Sequence, residues 1–408
     1  MRNNMLQIIS FLYLVIACGH YTCWSAPPGI YGNILSNDQT SNFVVVRNVT
    51  ELENAITNAI EGTTILIEDG TYKLTKPLII QKNKIVLKGK NGDRSQVILK
   101  GEGMASDHPP HAIAIYSSDV IVADLTLGWV PYHGIQIHGE KGAMRPKLYN
   151  LHILDCGQQL IKVSSGSNEL YSDFGELAYS RLEYSNCAPS GYTNGIDVLA
   201  GKGWKIYNNR FIRIRGPKGQ CAGPAILLWQ NSINSIVEKN LVLDCDKGIA
   251  FGNPAGPNPK YSRHGEKNYD HQGGIVRNNM IVRLSDGDCG IEFNNAKNFL
   301  CVHNTVYLYS SSINWAIEYR FLNSNGIIKN NLTNMSIIAR DGANAIVKNN
   351  ITTAKQNWFI DVSSGNLHLT DQAIDAIDKA IPVQYIYDDF DGQKRPIGKA
   401  PDIGADEK

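Results

Sequence analysis

The sequence predicts an all-β fold, a single-stranded right-handed parallel β-helix, from three observations. A short cassette recurs from about residue 112 onward: a small residue, a β-branched Ile, a variable residue and another apolar residue. Between the cassettes a second phrase recurs, a strand followed by an Asn and another strand. The cassettes are irregularly spaced, as expected for a coil with inserted loops. Such short strands bury an apolar face only by stacking, and strand twist makes the coil right-handed.

The cassettes define which side chains face outward. Because side chains alternate along a strand, the Ile and the second apolar residue point into the coil and the variable residues point out. A propeller, the rival all-β repeat, needs four antiparallel strands per unit and fits this shorter phrase poorly. The cassettes are AIAIY at 112, GIQIH at 134, LIKVS at 160, GIDVL at 195, AILLW at 225, GIAFG at 248, GIEFN at 290 and AIEYR at 316.

The second phrase predicts an asparagine ladder. Each Asn precedes apolar residues at a turn, where its amide can cap that turn and bond to the equivalent amide one rung away. The members are Asn209, Asn240, Asn279, Asn304, Asn331 and Asn350.

Both ends of the coil carry expected covers. The segment VRNVTELENAITNA predicts an amphipathic helix capped at Asn48 or Thr50, with its apolar face at Leu52, Ala55, Ile56 and Ile60. This helix and the following strands and DGTY resemble the N-terminal cap of secreted bacterial β-helix enzymes. The tail DDFDGQKRPIGKAPDIGADEK is similar to one found on many bacterial extracellular β-helix proteins.

Residues 1–26 predict an export signal, so that residues 27–408 form one β-helix domain. Arg2 precedes an apolar run, Leu6 to Ala17, that is too short to span a bilayer. The run ends in VIAC, which resembles a bacterial lipobox with Cys18 as the lipidated residue; ordinary cleavage before Pro27 is the alternative. We therefore expect a secreted, periplasmic or outer-membrane lipoprotein, monomeric, with a possible lipid anchor.

Composition excludes some partners. The formal net charge is +1, which gives no support for nucleic acid or an anionic membrane surface. Of eight cysteines, seven remain if Cys18 is lost or lipidated, which argues against a fully paired disulfide framework. Buried thiols are expected at Cys156, Cys245 and Cys289.

The outward residues form two columns along the coil. Rungs lie about 4.8 Å apart, so neighbours in one column touch. The first column reads Ala114, Gln136, Lys162, Asp197, Leu227, Ala250, Glu292 and Glu318. The second reads Tyr116, His138, Ser164, Leu199, Trp229, Gly252, Asn294 and Arg320.

These columns predict a sugar-binding stripe exposed to solvent. Two charged groups, Lys162 with Asp197 and the acids with Arg320, flank an apolar floor bearing Trp229, and a ring beside charged groups suits a pyranose. A solvated outer sheet with unrelated polar residues is the alternative. Glu292, Asn294 and Glu318 offer clustered oxygen ligands for Ca²⁺; an ion pair of one Glu with Arg320 is the alternative to the metal.

The stripe resembles the chondroitinase B and alginate lyase family. There a Ca²⁺ held by Glu and Asn neutralises the substrate carboxylate, a Lys removes the C5 proton and an Arg assists the leaving oxygen. The resemblance implies these roles for Glu292, Asn294 and Arg320. The chain lacks the family's NG-x-E segment, and no matching Lys is evident on a neighbouring rung.

Three inserted loops are expected to wall the stripe from one side. Residues 253–272 contain Tyr261, Arg263, His264 and His271, and residues 215–224 contain Lys218; a third loop spans 165–181. Long loops in a compact fold are often functional. We expect Asp197, Trp229, Lys218, Arg263 and His271 to bind substrate.

The leading function is a polysaccharide lyase acting on an acidic polymer by β-elimination. That reaction needs a base, a cationic clamp for the carboxylate and a proton donor. His264 or Lys162 is the candidate base, Tyr261 the donor, and Arg320 or Arg263 the clamp. A C5-epimerase, a glycoside hydrolase using Asp197, Glu292 or Glu318, and a non-catalytic glycan-binding protein are the alternatives.

Overall fold

Three parallel strand ladders wind along the chain in a regular order, one strand of each per turn. The computed structural model describes residues 42–310 and 312–408. From β2 onward the chain visits ladder 1, ladder 2 and ladder 3 in turn, and each strand pairs with its equivalent in the next rung. This arrangement is the predicted right-handed parallel β-helix.

The strand bounds follow the ladders. Ladder 1 holds β1 (Phe43–Val46), β2 (Thr64–Ile67), β5 (Val86–Gly89), the first halves of β8 (Ile121–Val130) and β10 (Lys147–Cys156), β12 (Glu176–Ala178), β15 (Lys205–Tyr207), β19 (Ile236–Glu238), β23 (Ile275–Arg277), β26 (Ala296–Val302), β29 (Asn325–Lys329) and β32 (Ile346–Lys348). Ladder 2 holds β3 (Gly70–Lys73), β6 (Val97–Lys100), the second halves of β8 and β10, β13 (Arg181–Glu183), β16 (Arg210–Ile212), β20 (Leu241–Leu243), β24 (Met280–Arg283), β27 (Thr305–Leu308) and β30 (Leu332–Thr333). Ladder 3 holds β4 (Leu78–Ile80), β7 (His111–Ile115), β9 (His133–His138), β11 (Ile161–Ser164), β14 (Ile196–Leu199), β17 (Ile226–Trp229), β21 (Ile249–Phe251), β25 (Ile291–Asn294), β28 (Trp315–Arg320) and β31 (Ser336–Arg340).

A few elements lie outside the ladders. They are the helix α1 (Val49–Asn58), the short strands β18 (Ser232–Ile233) and β22 (His271–Gln272), the antiparallel pair β33 (Phe359–Asp361) and β34 (Asn366–Leu369), and three 3₁₀ turns, Gly139–Lys141, Arg263–Gly265 and Gln356–Trp358.

The predicted cassettes form ladder 3, and its register confirms both outward columns. Lys162 pairs with Gln136 and with Asp197. Glu292 pairs with Glu318, and Asn294 with Arg320. Period-two alternation around the inward Ile was therefore sufficient to align strands that are far apart in sequence.

The asparagine ladder is confirmed between ladders 1 and 2. The Asn279 amide donates to Asn304 Oδ1 at 2.9 Å and accepts from the Asn240 amide at 3.0 Å. Its Nδ2 also donates to the Val237 carbonyl. The residue before it, Asn278, has φ of 52°, in the left-handed region that Asn tolerates. Within the ladder, such turns are thus fixed by a buried amide bonded to both neighbouring rungs.

The N-terminal cover has the predicted form with one correction. Asn48 caps α1 by accepting a hydrogen bond from the Glu51 backbone at 2.9 Å, and Leu52 and Ile56 are buried. Ile60 lies past the helix end and is 63% exposed, because the chain turns away to enter β2.

The C-terminal segment packs against the coil. Arg395 and Glu407 form an ion pair at 2.8 Å with no side-chain exposure. Gly404 donates to the Asn330 carbonyl, which ties the tail to the turns beside the asparagine ladder.

Some sequence predictions lie outside the described residues. The export signal, Cys18 and the boundary at residue 27 fall there.

Cys156, Cys245 and Cys289 are buried free thiols, as expected. Among the described residues, no helix is long and apolar enough to cross a membrane.

We predict that Asn279→Ala destabilises the protein by about 2–3 kcal/mol, because it leaves buried donors of Asn240 without their acceptor. Urea denaturation measures the change. Asn357→Ala, at an exposed position outside the ladder, is the control and should alter stability little. Equal effects of the two substitutions would contradict a stabilising role for the ladder.

Candidate functional site

A groove of about 990 Å³ opens beside the C-terminal half of ladder 3. We call it the cationic groove, because five basic side chains line it. Three acidic side chains and Trp315 complete the charged and aromatic part of its wall. The basic residues are Arg213, Arg215, Lys218, Arg320 and Arg340, and the acidic ones are Asp246, Asp286 and Asp288.

The outward columns reach this region but are not the open stripe that the sequence predicts. Asp197, Glu292 and Glu318 are 2–3% exposed, and Asn294 is fully buried. Leu227 and Ala250, the predicted apolar floor, are buried as well. Inserted segments and the long side chains of adjacent positions cover the sheet. The accessible surface is therefore made by what lies over the columns.

Two ion pairs connect the groove wall to the buried acids. Arg340 contacts Glu318 at 2.7 Å, and its guanidinium lies 5.1 Å from the centre of the Trp315 ring. Asp288 contacts Lys247 at 2.9 Å. Burial would lower the pKa of Lys247, but the carboxylates of Glu292 and Asp288 outweigh this effect and raise it. Lys247 is therefore held as an ammonium.

Glu292 is the acid with the most perturbed environment in this group. Burial raises its pKa to about 7, Lys247 opposes the shift, and the negative charges of Asp288 and Glu318 add to it. Among the described residues the Glu292 side chain forms no ion pair, because Lys247 pairs with Asp288. A carboxyl that titrates near neutrality can exchange protons at physiological pH.

The predicted calcium ligands do not fit Ca²⁺ as a set. Asn294 has both amide atoms buried without a hydrogen-bond partner, and Glu292 lies beside it on the same strand. Glu318, however, is already neutralised by Arg340 rather than by Arg320. A neighbouring trio that includes Asp288 and Cys289 is similarly engaged, because Asp288 pairs with Lys247. Ca²⁺ favours six to eight oxygen ligands, which these residues do not supply.

Lys162, Asp197 and Trp229 form a second cluster on β11, β14 and β17, two to four rungs from Glu292 on β25. The Lys162 ammonium pairs with Asp197, and the Trp229 indole donates to the other Asp197 oxygen at 2.7 Å. The cluster is therefore internally satisfied. Lys162 is paired with a buried carboxylate, which does not suit the role of base that the sequence predicts.

The loop 253–272 is fastened over the N-terminal half of ladder 3. Arg263 is 9% exposed and bonds to Asp173 and the Ala200 carbonyl. Its predicted role as a carboxylate clamp is corrected, because both bonds anchor the loop. The Tyr261 carbonyl accepts from Ser165 at 2.7 Å, which joins two of the three predicted loops.

The histidines of this loop also differ from expectation. His271 is fully buried and stacks on Phe251 at 3.8 Å between ring centres, and burial lowers its pKa to about 3. It packs the coil and cannot contact a substrate, so that prediction is wrong. His264 is two-thirds exposed, beside Glu169 and Tyr171. Neither lines the cationic groove.

The loops also leave from both edges of ladder 3, not from one side. The loops after β11 and β21 pack together, whereas residues 215–224 enter before β17 and carry Lys218 to the groove. Lys218 and Arg320 are the two predicted site residues that line the groove. The sequence-based interpretation placed Lys218 on an inserted loop before the Trp229 cassette and Arg320 in the group that contains Glu292 and Glu318.

The sequence-based interpretation missed two groove residues, Trp315 and Arg340, and also Lys247, which pairs with the groove residue Asp288. Lys247 and Trp315 each precede a cassette Ile by two positions, a third outward position that the two-column interpretation omitted. Lys247 therefore lies on the rung next to Glu292, where no Lys was expected. Arg340 lies on β31, whose sequence SIIAR departs from the cassette pattern.

The comparisons with known proteins concern the fold. No protein-family model and no curated protein matches the chain. Among solved structures, the chain is similar to the pectate lyase Pel9A, with 14% identity over 91% of this chain and 98% of that one and a TM-score of 0.56. It is also similar to an alginate lyase from Paenibacillus sp. str. FPU-7, with 14% identity over 76% of this chain and all of that one and a TM-score of 0.50. At these identities the likeness establishes the parallel β-helix.

We predict that Glu292→Gln flattens the pH dependence of stability. The folded protein keeps a proton on Glu292 that the unfolded chain releases between about pH 4.5 and 7, so the free energy of unfolding falls across that window. Between about pH 5 and 8, the free energy of unfolding of the variant should fall by about 1–3 kcal/mol less than that of the native protein.

Urea denaturation at several pH values measures this effect. Glu61→Gln, at a half-exposed surface carboxylate, is the matched control and should leave the native profile unchanged. A Glu292→Gln profile parallel to the native one would show that Glu292 is ionised in the folded protein.

Proposed function

We propose that the protein is a polysaccharide lyase that cleaves an acidic, uronic-acid-containing polymer in the cationic groove. The observation that carries the proposal is the convergence of Arg213, Arg215, Lys218, Arg320 and Arg340 on one groove. The formal net charge of the whole chain is only +1, so this cluster of cations is a local feature of the groove. The two similar solved structures, a pectate lyase and an alginate lyase, support the same substrate class.

Arg320 and Arg340 are the proposed clamps for the substrate carboxylate. A guanidinium matches a carboxylate bidentately and stabilises the enediolate that forms when C5 loses its proton. Each is pre-positioned, Arg320 by Asp341 at 2.7 Å and Arg340 by Glu318. This positioning lowers the ordering cost when substrate binds.

Lys218 is the proposed base. It lies exposed on the groove wall, and no ion pair is recorded for it in the part of the chain that the structure describes. Lys162 and Lys247, by contrast, are paired with carboxylates. In the proposed reaction the Lys218 amine accepts the C5 proton, the C4–O bond breaks, and a C4–C5 double bond forms. The resulting ammonium returns its proton to the leaving oxygen when that oxygen lies on the same side of the ring.

A glycoside hydrolase is the second candidate, favoured by Asp246, Asp286 and Asp288 in the same groove. Hydrolysis needs two carboxyl groups flanking the bond. The two reactions differ in their products, because only elimination makes an unsaturated sugar. A C5-epimerase would share the proton removal without breaking the chain, and a non-catalytic glycan-binding protein would leave the polymer intact.

We predict that incubation with a panel of uronans yields ultraviolet absorbance from an unsaturated product. Lys218→Ala should lower kcat by about 10²–10⁴, the usual contribution of a general base, and Arg320→Ala should lower kcat/KM. Lys73→Ala, at a cation 74% exposed and outside the groove, is the control. Reducing ends that appear without ultraviolet absorbance would establish the hydrolase. Binding of the polymer without either product would establish the non-catalytic protein.

We predict that chelation leaves the rate unchanged, because arginines already supply the charge that a metal would bring to the carboxylate. The assay compares protein dialysed against EDTA with protein supplied with Ca²⁺. A different outcome would establish the calcium site predicted from the sequence. Chelation would then reduce the activity, Ca²⁺ would restore it, and Glu292→Gln or Asn294→Ala would abolish this restoration.

A further inference from the structure

A second group of basic side chains lies outside the groove, on the outer face of ladder 2. His152 pairs in register with Arg181, and Arg181 with Arg210, on three consecutive rungs. Rungs are about 4.8 Å apart, so these side chains are direct neighbours. We call His152, Arg181, Arg210 and Arg213 the cation row, since Arg213 follows directly on β16.

One carboxylate, that of Glu183, contacts three members of the cation row. Glu183 contacts His152 at 2.7 Å, Arg181 at 2.6 Å and Arg213 at 3.6 Å. Burial would raise the pKa of Glu183, but the bonds from His152 and Arg181 outweigh it and lower the pKa to about 2. Arg181 and Arg213 therefore share one carboxylate with His152.

Other carboxylates at the ends of these strands are engaged elsewhere. Asp155 accepts from the Ser185 backbone and hydroxyl, and Asp244 pairs with Arg215 at 3.0 Å. Like charges on adjacent rungs are destabilising. The pKa of Arg210 is lowered, first by burial and then by the charge of Arg181. The cation row thus costs the fold some stability.

The cation row is accessible and retains unused hydrogen-bonding capacity. The side chains of Arg181 and Arg213 are 37% and 40% exposed, and that of His152 is 25% exposed. The Arg181 Nε atom has no hydrogen-bond partner among the described residues but is buried, so an incoming anion would contact the exposed ends of the guanidinium groups. An anionic group arriving from solvent would relieve the repulsion and provide acceptors.

Arg213 connects the cation row to the cationic groove. It contacts Glu183 on one side and lines the groove on the other. Arg215 and Lys218 continue the basic surface into the groove. The positive side chains therefore form a continuous track that runs from the groove around the edge of the coil onto ladder 2.

We propose that the cation row is a secondary binding site for the same acidic polysaccharide, which holds the part of the chain that leaves the groove. The inference rests on the proposed function for the class of polymer. A uronan carries one carboxylate on each sugar, so a row of guanidinium groups can bind successive sugars of one chain. The site would favour long polymers over short fragments, because two linked sites act together.

The test compares Arg181→Gln/Arg210→Gln with Lys205→Gln, which removes an exposed cation from the adjacent ladder 1. Affinity electrophoresis in gels containing polygalacturonate, alginate or chondroitin sulfate measures binding, with dextran as the neutral polymer. The double variant should bind the preferred uronan about tenfold more weakly, equivalent to about 1.4 kcal/mol. Its binding should also depend less on salt, and Lys205→Gln should match the native protein.

A second measurement separates binding from folding. Arg210→Gln alone, which keeps the Arg181–Glu183 ion pair, removes one of the mutually repelling cations and should leave the thermal midpoint unchanged or raise it, whereas a purely structural role predicts a decrease. Turnover of a trisaccharide, too short to leave the groove, should be unaffected. Normal polymer affinity in the double variant overturns the inference, even if the protein proves to be a lyase. Weakened uronan binding without any cleavage supports the cation row and rejects the proposed reaction.

Discussion

Rung-to-rung hydrogen bonding of the buried asparagine amides is the constraint on which the rest of the molecule depends. Within the ladder, an amide accepts a hydrogen bond from one neighbouring rung and donates one to the other. Asn304, for example, accepts from Asn279 and donates to Asn331. A slip of one residue would bury charged residues and expose the inward Ile. The amides therefore fix the register that places Glu292 over Glu318 and Arg181 over Arg210.

This constraint explains why the fold and its register could be predicted from the sequence. Stacked parallel strands repeat the same local pattern, so the cassette Ile and the turn Asn mark each rung without reference to distant contacts. The burial of the outward columns could not be predicted in the same way. It depends on where loop residues such as Arg263 are anchored. Arg263 pairs with Asp173, which lies 90 residues earlier in the chain.

The candidate site was predictable only in part for the same reason. Lys218 and Arg320 were identified, but their convergence on one groove requires the path of the loop 215–224. His271 was misassigned because an exposed and a buried histidine look alike in a loop sequence. Lys247 was overlooked because the bend before each cassette makes a third position face outward. These errors all concern irregular segments, in which no repeat relates one residue to the next.

Charge segregation links the groove with the cation row. Near-equal numbers of acidic and basic residues would neutralise each other if they were mixed, and most surface pairs of the chain do so. Glu183 and Glu318 lie deeper than the arginines that they contact: both are almost buried, whereas Arg213 and Arg340 remain partly exposed. Buried acids orient the arginines without screening their outer faces. A polyanion approaching from solvent therefore meets ordered cations first, which favours capture along the coil over contact at one point.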